Sequence, residues 1–76
     1  MPTVVILGHV HIRMFANDHN PPHFHVVTAN HQISIRLDDL SVMVGSMDRG
    51  SLSSALAWAA ANKKVLEDEW HRLNER

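Results

Sequence analysis

The stretch VHIRMFA, residues 10–16, alternates its side chains in the two-residue period of a β-strand. One side of this predicted strand is apolar and consists of Val10, Ile12 and Met14. The other side consists of His11, Arg13 and Phe15. An apolar run at residues 3–7, followed by Gly8, predicts the other strand of a hairpin. The first half of the chain therefore contains a predicted β-hairpin with one apolar face.

Two later stretches predict a second hairpin. Residues 23–28 are rich in β-forming side chains, and residues 33–38 alternate apolar with polar positions. Residues 29–31 supply the turn between them. Residues 40–44 predict a fifth short strand. The order of the strands within the sheet does not follow from these patterns.

The last third of the chain changes to an apolar period of three or four residues, which predicts a helix. Asp48 and Ser51 are both suitable N-caps, and a kink near Asn62 is one variant of this prediction. One stripe of the helix would face the sheet: Leu52, Leu56, Ala59, Lys63, Leu66, Trp70 and Leu73. We therefore expect an α+β fold that is β-rich at 1–45 and helical at 48–74. In it, a long C-terminal helix packs on one face of a small antiparallel sheet of four to five strands in two hairpins.

Length and composition limit the class of protein. The chain of 76 residues is enough for a single domain, residues 1–76, whose small core makes support from a partner chain reasonable. The absence of cysteine excludes disulfides and thiolate zinc sites. A net charge of −1 without basic blocks does not indicate a generic basic surface for nucleic acid. No apolar run approaches membrane-spanning length, so we expect a soluble cytoplasmic protein without membrane contact.

The most unusual stretch is NDHNPPHFH, residues 17–25, in which three histidines surround two adjacent prolines. Pro21 and Pro22 restrict the backbone, so the loop is stiff, as a site that must hold side chains in place requires. The polar candidates on this loop and on the strand that leaves it are Asp18, His19, His23 and His25. If the two hairpins are neighbours, the sheet face away from the helix also collects His11, Arg13 and Arg36.

Three interpretations of this cluster stay open. In the first, histidines exchange protons with a phosphodiester substrate while Arg13 or Arg36 stabilises the negative transition state, without a metal or other cofactor. In the second, His23 and His25 share a zinc ion or a similar metal, and His19 or Asp18 completes the site. In the third, the loop contains ordinary turn residues, and its histidines satisfy loop backbone.

Two apolar residues lie on the flank of the predicted helix stripe, namely Trp58 and Val65. They either close the edge of the core or form an exposed anchor for another protein. The second interpretation is attractive because tryptophan is enriched at binding hot spots.

Four segments resemble a family of short bacterial proteins grouped as domain of unknown function 4160: MPTV at the start, NDHNPPHFHV, IRLDDLSV, and a helix ending in L-x-x-x-W from Leu66 to Trp70. The resemblance covers essentially the whole chain. It implies that the gene lies beside the gene for a second small protein. Such gene pairs look like type II toxin-antitoxin modules. It also implies that the site consists of the residues matching the motif: Asp18, His19, Pro21, Pro22, His23 and His25.

The expected function that follows from the resemblance is a toxin-like protein neutralised by a small cognate antitoxin-like partner. Toxins of this size often act on RNA or translation, so a metal-independent, ribonuclease-like role is expected if the protein is an enzyme. In that role the motif residues would be assisted by Arg13 and Arg36. The alternatives are a non-enzymatic protein-binding or regulatory module and a histidine-based metal-binding module.

Overall fold

The computed structural model of the protein describes residues 3–16 and 21–74. Within them the chain forms seven elements in this order: β1 (Thr3–Leu7), β2 (Val10–Arg13), β3 (His23–Val27), β4 (Gln32–Arg36), β5 (Val42–Ser46), α1 (Arg49–Ala61) and α2 (Lys63–Asn74). The strands form one antiparallel sheet in which each strand pairs with the next along the chain. The predicted α+β class and antiparallel sheet are confirmed.

The hydrophobic core lies between one face of the sheet and the helices. Its fully or nearly fully buried members are Val10, Ile12, Met14, Phe24, Val26, Ile33, Ile35, Leu37, Ala55, Ala59, Leu66 and Trp70. The alternation predicted for residues 10–16 is therefore confirmed on the apolar side, although the strand itself ends at Arg13. Burial of a large apolar side chain stabilises a fold by about 1.5 to 3 kcal/mol, so these residues supply the main driving force.

The fifth strand begins two residues later than the pattern predicts, at Val42 rather than at Leu40. The backbone of Leu40 has a φ of 59°, in the left-handed region that a strand residue does not adopt. Its N–H donates to the carbonyl of Arg36, and the N–H of Arg36 donates to the carbonyl of Ser41. A closed turn therefore occupies the positions that the sequence pattern assigned to the start of the strand.

The predicted long helix is divided into two helices at Asn62. The backbone N–H of Asn62 donates to the carbonyls of Trp58 and Ala59, and its side-chain amide also donates to Trp58, at 2.9 Å. These bonds satisfy carbonyls that the end of α1 would otherwise leave without donors. The break lets α2 leave the direction of α1.

Helix α2 crosses the end of the sheet at which β2 finishes and β3 begins. The side-chain amide of Asn74 donates to the carbonyl of Phe15 at 3.3 Å, and the ring of Trp70 lies 5.5 Å from the ring of His23, centroid to centroid. At the start of α2, the ammonium group of Lys63 donates to the carbonyl of Asp38 at 2.7 Å. Lys63 was predicted within the apolar stripe, and its ammonium group instead ties the helix to the loop after β4.

The N-terminus of α1 is held by a series of hydrogen bonds that involves three polar residues. Asp48 is the N-cap, and one of its carboxylate oxygens accepts from the backbone N–H of Ser51 at 2.9 Å. The Ser51 hydroxyl lies 3.0 Å from Nε2 of His9, in the turn between β1 and β2. Hydrogen bonds from the backbone and the hydroxyl of Ser51 lower the pKa of Asp48. These hydrogen bonds connect the start of α1 to the hairpin of β1 and β2.

No helix within residues 3–16 and 21–74 combines the length and the apolar composition that crossing a bilayer requires.

Candidate functional site

The sheet face that points away from the core carries most of the polar side chains of the strands. We call this surface the open face; its main residues alternate with the buried ones and are Ile6, His11, Arg13, Phe15, His25, Ser34, Arg36 and Val44. The strand register sets Arg13 opposite His25, and His25 opposite Ser34. Cross-strand neighbours on one face lie about 5 Å apart, so these three side chains form one row.

Arg13 is the most unusual member of this row. Its side chain is half-buried, and its Nε atom is fully buried without a hydrogen-bond partner in the described part of the chain. A buried N–H without an acceptor costs free energy, and a guanidinium group satisfies it best with a carboxylate or a phosphate. The open face therefore contains a guanidinium group, a cation suited to an anionic ligand.

His25 is oriented by two neighbours on the open face. The Ser34 hydroxyl lies 3.3 Å from Nδ1 of His25, and the ring of Phe15 packs against the His25 ring at a centroid distance of 4.9 Å and an angle of 71°. The hydroxyl donates when Nδ1 carries no proton and accepts when Nδ1 is protonated. This arrangement holds the imidazole beside Arg13 in one orientation.

His23 shares the side of β3 with His25 but is almost fully buried, with 2% of its surface exposed. Its Nδ1 lies 2.8 Å from the carbonyl of Pro21, and because a carbonyl only accepts, Nδ1 is the donor. The ring stands between those of His25 and Trp70, at centroid distances of 5.1 and 5.5 Å. His23 thus connects the open face to helix α2.

Arg36 lies beside His23 in the strand register and is exposed. It borders a groove of about 500 Å³ at the end of the sheet, lined by Pro22, Arg36, Leu37, Asp38, Glu67, Trp70 and His71. Carboxylates share this groove with Arg36, so it is less suited to an anion than the row that contains Arg13.

Charge is distributed unevenly between the sheet and the rest of the molecule. Across the five described strands there is no aspartate or glutamate, whereas Arg13, Arg36 and three histidines are present. The carboxylates within residues 3–16 and 21–74 are in loops and on α2: Asp38, Asp39, Asp48, Glu67, Asp68 and Glu69. The whole chain has a net charge of −1, but the open face of the sheet is locally positive because it carries arginines and no carboxylate among the described strand residues.

The fold brings together four of the six residues predicted as catalytic: Arg13, His23, His25 and Arg36 lie on neighbouring positions of β2, β3 and β4. Asp18 and His19 lie outside the described residues. Sequence reasoning did not include Ser34 and Phe15 in the site. Alternation placed both on polar sides of strands, but only the order and register of the strands show that they contact His25.

The two residues predicted as a partner interface have different surroundings. Trp58 is half-buried and packs against the core, whereas Val65 is 49% exposed on α2. The side chain of Val65 is thus available to another protein, while that of Trp58 closes the core edge.

A metal centre on His23 and His25 would be completed by His19 or Asp18, and both of these residues lie outside the described residues. Within the described ranges, no cluster of three or more histidine, cysteine, aspartate or glutamate side chains is arranged to hold a metal ion. Nδ1 of His23 contacts Pro21 and Nδ1 of His25 contacts Ser34, so a shared metal would have to use the Nε2 atoms. The metal interpretation therefore remains a prediction.

Comparison with known proteins identifies the family to which the chain belongs. A family model with the description Domain of unknown function (DUF4160) matches residues 9–71, from the turn before β2 to the last turns of α2. Comparison with curated proteins and with solved structures gave no match. Since the family model covers well over half of the chain, the protein belongs to the DUF4160 family of domains of unknown function.

Proposed function

We propose that this protein is the toxin-like component of a bacterial toxin-antitoxin pair and that it binds RNA through its open face, with Arg13, His25 and Ser34 around one phosphate. The observation that carries the proposal is the row formed by Arg13 and the His25 and Ser34 pair on adjacent strands. The Nε atom of Arg13 has no acceptor among the described residues, so the guanidinium group is not already paired through it. A phosphate placed over this row accepts from the guanidinium and from Nε2–H of His25, while the Ser34 hydroxyl donates to Nδ1 of the same ring.

The energetics favour a phosphate over a neutral ligand. Hydrogen bonds between charged partners contribute about 1.5 to 3 kcal/mol each, roughly twice as much as neutral ones. The strands present no carboxylate in the described residues that would repel the ligand or neutralise Arg13. Because Arg13 is half-buried, part of its desolvation has already occurred before the ligand binds.

His25 is the group that would exchange a proton with the bound phosphodiester. It lies beside Arg13 and is oriented by Ser34, as a general acid or base requires. His23 is buried and its Nδ1 donates to Pro21, so we assign it as a positioning residue that orients His25 rather than as a second catalytic group. The motif also contains Asp18 and His19 as candidates for the second proton transfer.

The toxin-like role and the antitoxin-like partner rest on the family resemblance. The partner would neutralise the protein most simply by covering the open face. Two exposed apolar side chains on that face support such a contact: Ile6 on β1 is 56% exposed and Val44 on β5 is 68% exposed.

The same two side chains favour a second candidate, a protein-binding module without catalysis. In this alternative the open face is a recognition surface, Ile6 and Val44 are its apolar anchors, and Arg13 pairs with a carboxylate of the partner. The two candidates differ in what the free protein does, since only a toxin inhibits growth in the absence of its partner.

Induced expression in a bacterial host without the partner gene tests the proposal. We expect the wild type to arrest growth, and Arg13→Gln to allow growth at the same soluble yield. Arg49→Gln is the matched control, because Arg49 is an exposed arginine at the start of α1, outside the strands. Growth arrest by Arg13→Gln, or normal growth with the wild type, would contradict the proposal; the second result would favour the protein-binding module.

A further inference from the structure

We infer that the RNA bound on the open face is single-stranded and that one of its bases stacks on Phe15. This inference rests on the proposed function and adds the class of substrate. It starts from Phe15, which follows β2 on the open face, is 36% exposed and does not belong to the buried core. A large aromatic ring left partly in water beside a phosphate-binding row has the character of a base-stacking platform.

Phe15 is held in place from two sides. Its ring packs against His25, which continues through His23 to the buried Trp70 as a row of four rings. Its backbone carbonyl accepts from the side chain of Asn74 on α2. A ring anchored in this way loses little conformational freedom when a base stacks on it. The entropic cost of immobilising the Phe15 side chain on binding is therefore small.

The spacing between Phe15 and Arg13 fits one nucleotide. The two residues project from the same side of the chain with one residue between them, so their Cα atoms lie about 7 Å apart along an extended chain. This is comparable to the reach from a base to its own phosphate. A base on Phe15 would therefore leave its phosphate over Arg13, His25 and Ser34.

A duplex does not meet these requirements. Its bases are stacked and paired, so their faces are not available to an aromatic side chain, whereas unstacked bases of a single strand are. Affinity for a duplex is obtained mainly from many phosphate contacts, and the described strands offer two arginines, Arg13 and Arg36. Base stacking supplies affinity that does not depend on further positive charge.

Fluorescence anisotropy with three labelled probes tests this inference. The probes are an oligouridine strand of about ten nucleotides, a blunt RNA duplex of the same length, and an abasic strand with the same number of phosphates. We expect the wild type to bind the oligouridine about tenfold more tightly than the abasic strand. We also expect it to bind the duplex no better than the abasic strand.

Substitutions at Phe15 separate the stacking contact from the phosphate contact. Phe15→Leu should remove the preference for oligouridine over the abasic strand, whereas Phe15→Trp should retain it. Because Phe15 also packs against His25, the ratio of the two affinities is the measured quantity rather than either affinity alone. Val65→Ala, at an exposed apolar residue of α2, should behave as the wild type. A thermal unfolding curve for each variant confirms that it is folded.

The outcomes distinguish this inference from the proposal on which it rests. Equal affinity of the wild type for all three probes, or an unchanged preference in Phe15→Leu, would refute base stacking and leave phosphate binding in place. If none of the three probes binds, the proposed function fails, and the single-stranded specificity fails with it.

Discussion

The hydroxyl oxygen of Ser34 lies 3.3 Å from Nδ1 of His25, across the pair of strands β3 and β4. These two residues are nine positions apart in the chain, and the register of one hairpin brings them together. Arg13 on β2 completes the row from the other side of His25. The candidate site is thus a property of three neighbouring strands rather than of the histidine-rich loop alone.

Ser34→Ala removes the side chain that orients His25, and we expect it to weaken RNA binding about fivefold, since a neutral hydrogen bond contributes about 1 kcal/mol. Ser34→Thr keeps the hydroxyl and should restore most of the affinity. Anisotropy titrations of the wild type and both variants measure the effect. Equal affinity for the wild type and Ser34→Ala would show that the contact with His25 has no role in binding.

His23→Ala and His25→Ala should act on different properties. We expect His23→Ala to lower the free energy of unfolding by about 2 kcal/mol or more, because it leaves a cavity beside Trp70 and an unpaired Pro21 carbonyl. His25→Ala, at a half-buried position, should lower it by less and should reduce RNA binding. Urea unfolding gives the free energies; a larger loss of stability in His25→Ala than in His23→Ala would contradict the structural contribution expected of the buried His23 ring.

The N-cap of α1 predicts a dependence of stability on pH. The pKa of Asp48 is lowered by hydrogen bonds from the backbone and the hydroxyl of Ser51, so its carboxylate stabilises the fold above its ordinary pKa, about 3.9. This contribution is lost as the pH falls through the lowered value. We expect Asp48→Ala to be less stable than the wild type at neutral pH and to approach it in strong acid.

Asp48→Asn is the control for this effect, because asparagine is also a good N-cap but does not titrate in acid. Thermal unfolding midpoints of the three proteins between neutral pH and about pH 2 provide the measurement. If the difference between Asp48→Ala and the wild type stayed constant over the acid range, the hydrogen-bonded carboxylate would not be its cause.

Two adjacent residues of α2 test how this helix packs. Leu66 is fully buried and Val65 is 49% exposed. We expect Leu66→Ala to lower the free energy of unfolding by about 2 to 5 kcal/mol through lost burial and a remaining cavity, and Val65→Ala to change it by about 0.5 kcal/mol or less. Similar losses in both variants, measured by urea unfolding, would mean that α2 does not pack through Leu66.

Much of the fold could be predicted because its signals are local. Alternation assigned Val10, Ile12 and Met14 to the buried face, and the helical period identified Leu66 and Trp70 as core residues. Each of these signals lies within a few residues of sequence, where strand and helix geometry determine which side chains share a face. The α+β class followed from the change of period along the chain.

The candidate site could be predicted only in part, because its geometry depends on contacts between distant segments. The burial of His23 involves helix α2, whose Trp70 packs against the His23 ring, and these two residues are far apart in the sequence. The contact between Ser34 and His25 requires the register of β3 and β4, which no pattern within one strand determines. The fifth strand starts after a turn that contains Leu40, whose φ is positive. The apolar side chain of Leu40 suits a strand, so the sequence pattern did not reveal this turn.

The most direct measurement of the central claim is the salt dependence of RNA binding by the wild type and Arg13→Gln, with Arg49→Gln as control. We expect Arg13→Gln to bind at least tenfold more weakly, with a slope of log affinity against log salt smaller by about 0.7, as the loss of one phosphate contact on a single strand predicts. We expect at most a small loss of stability, because Nε of Arg13 has no hydrogen-bond partner in the described residues, and a thermal unfolding curve confirms that each variant is folded. An unchanged affinity and slope in Arg13→Gln would contradict the account.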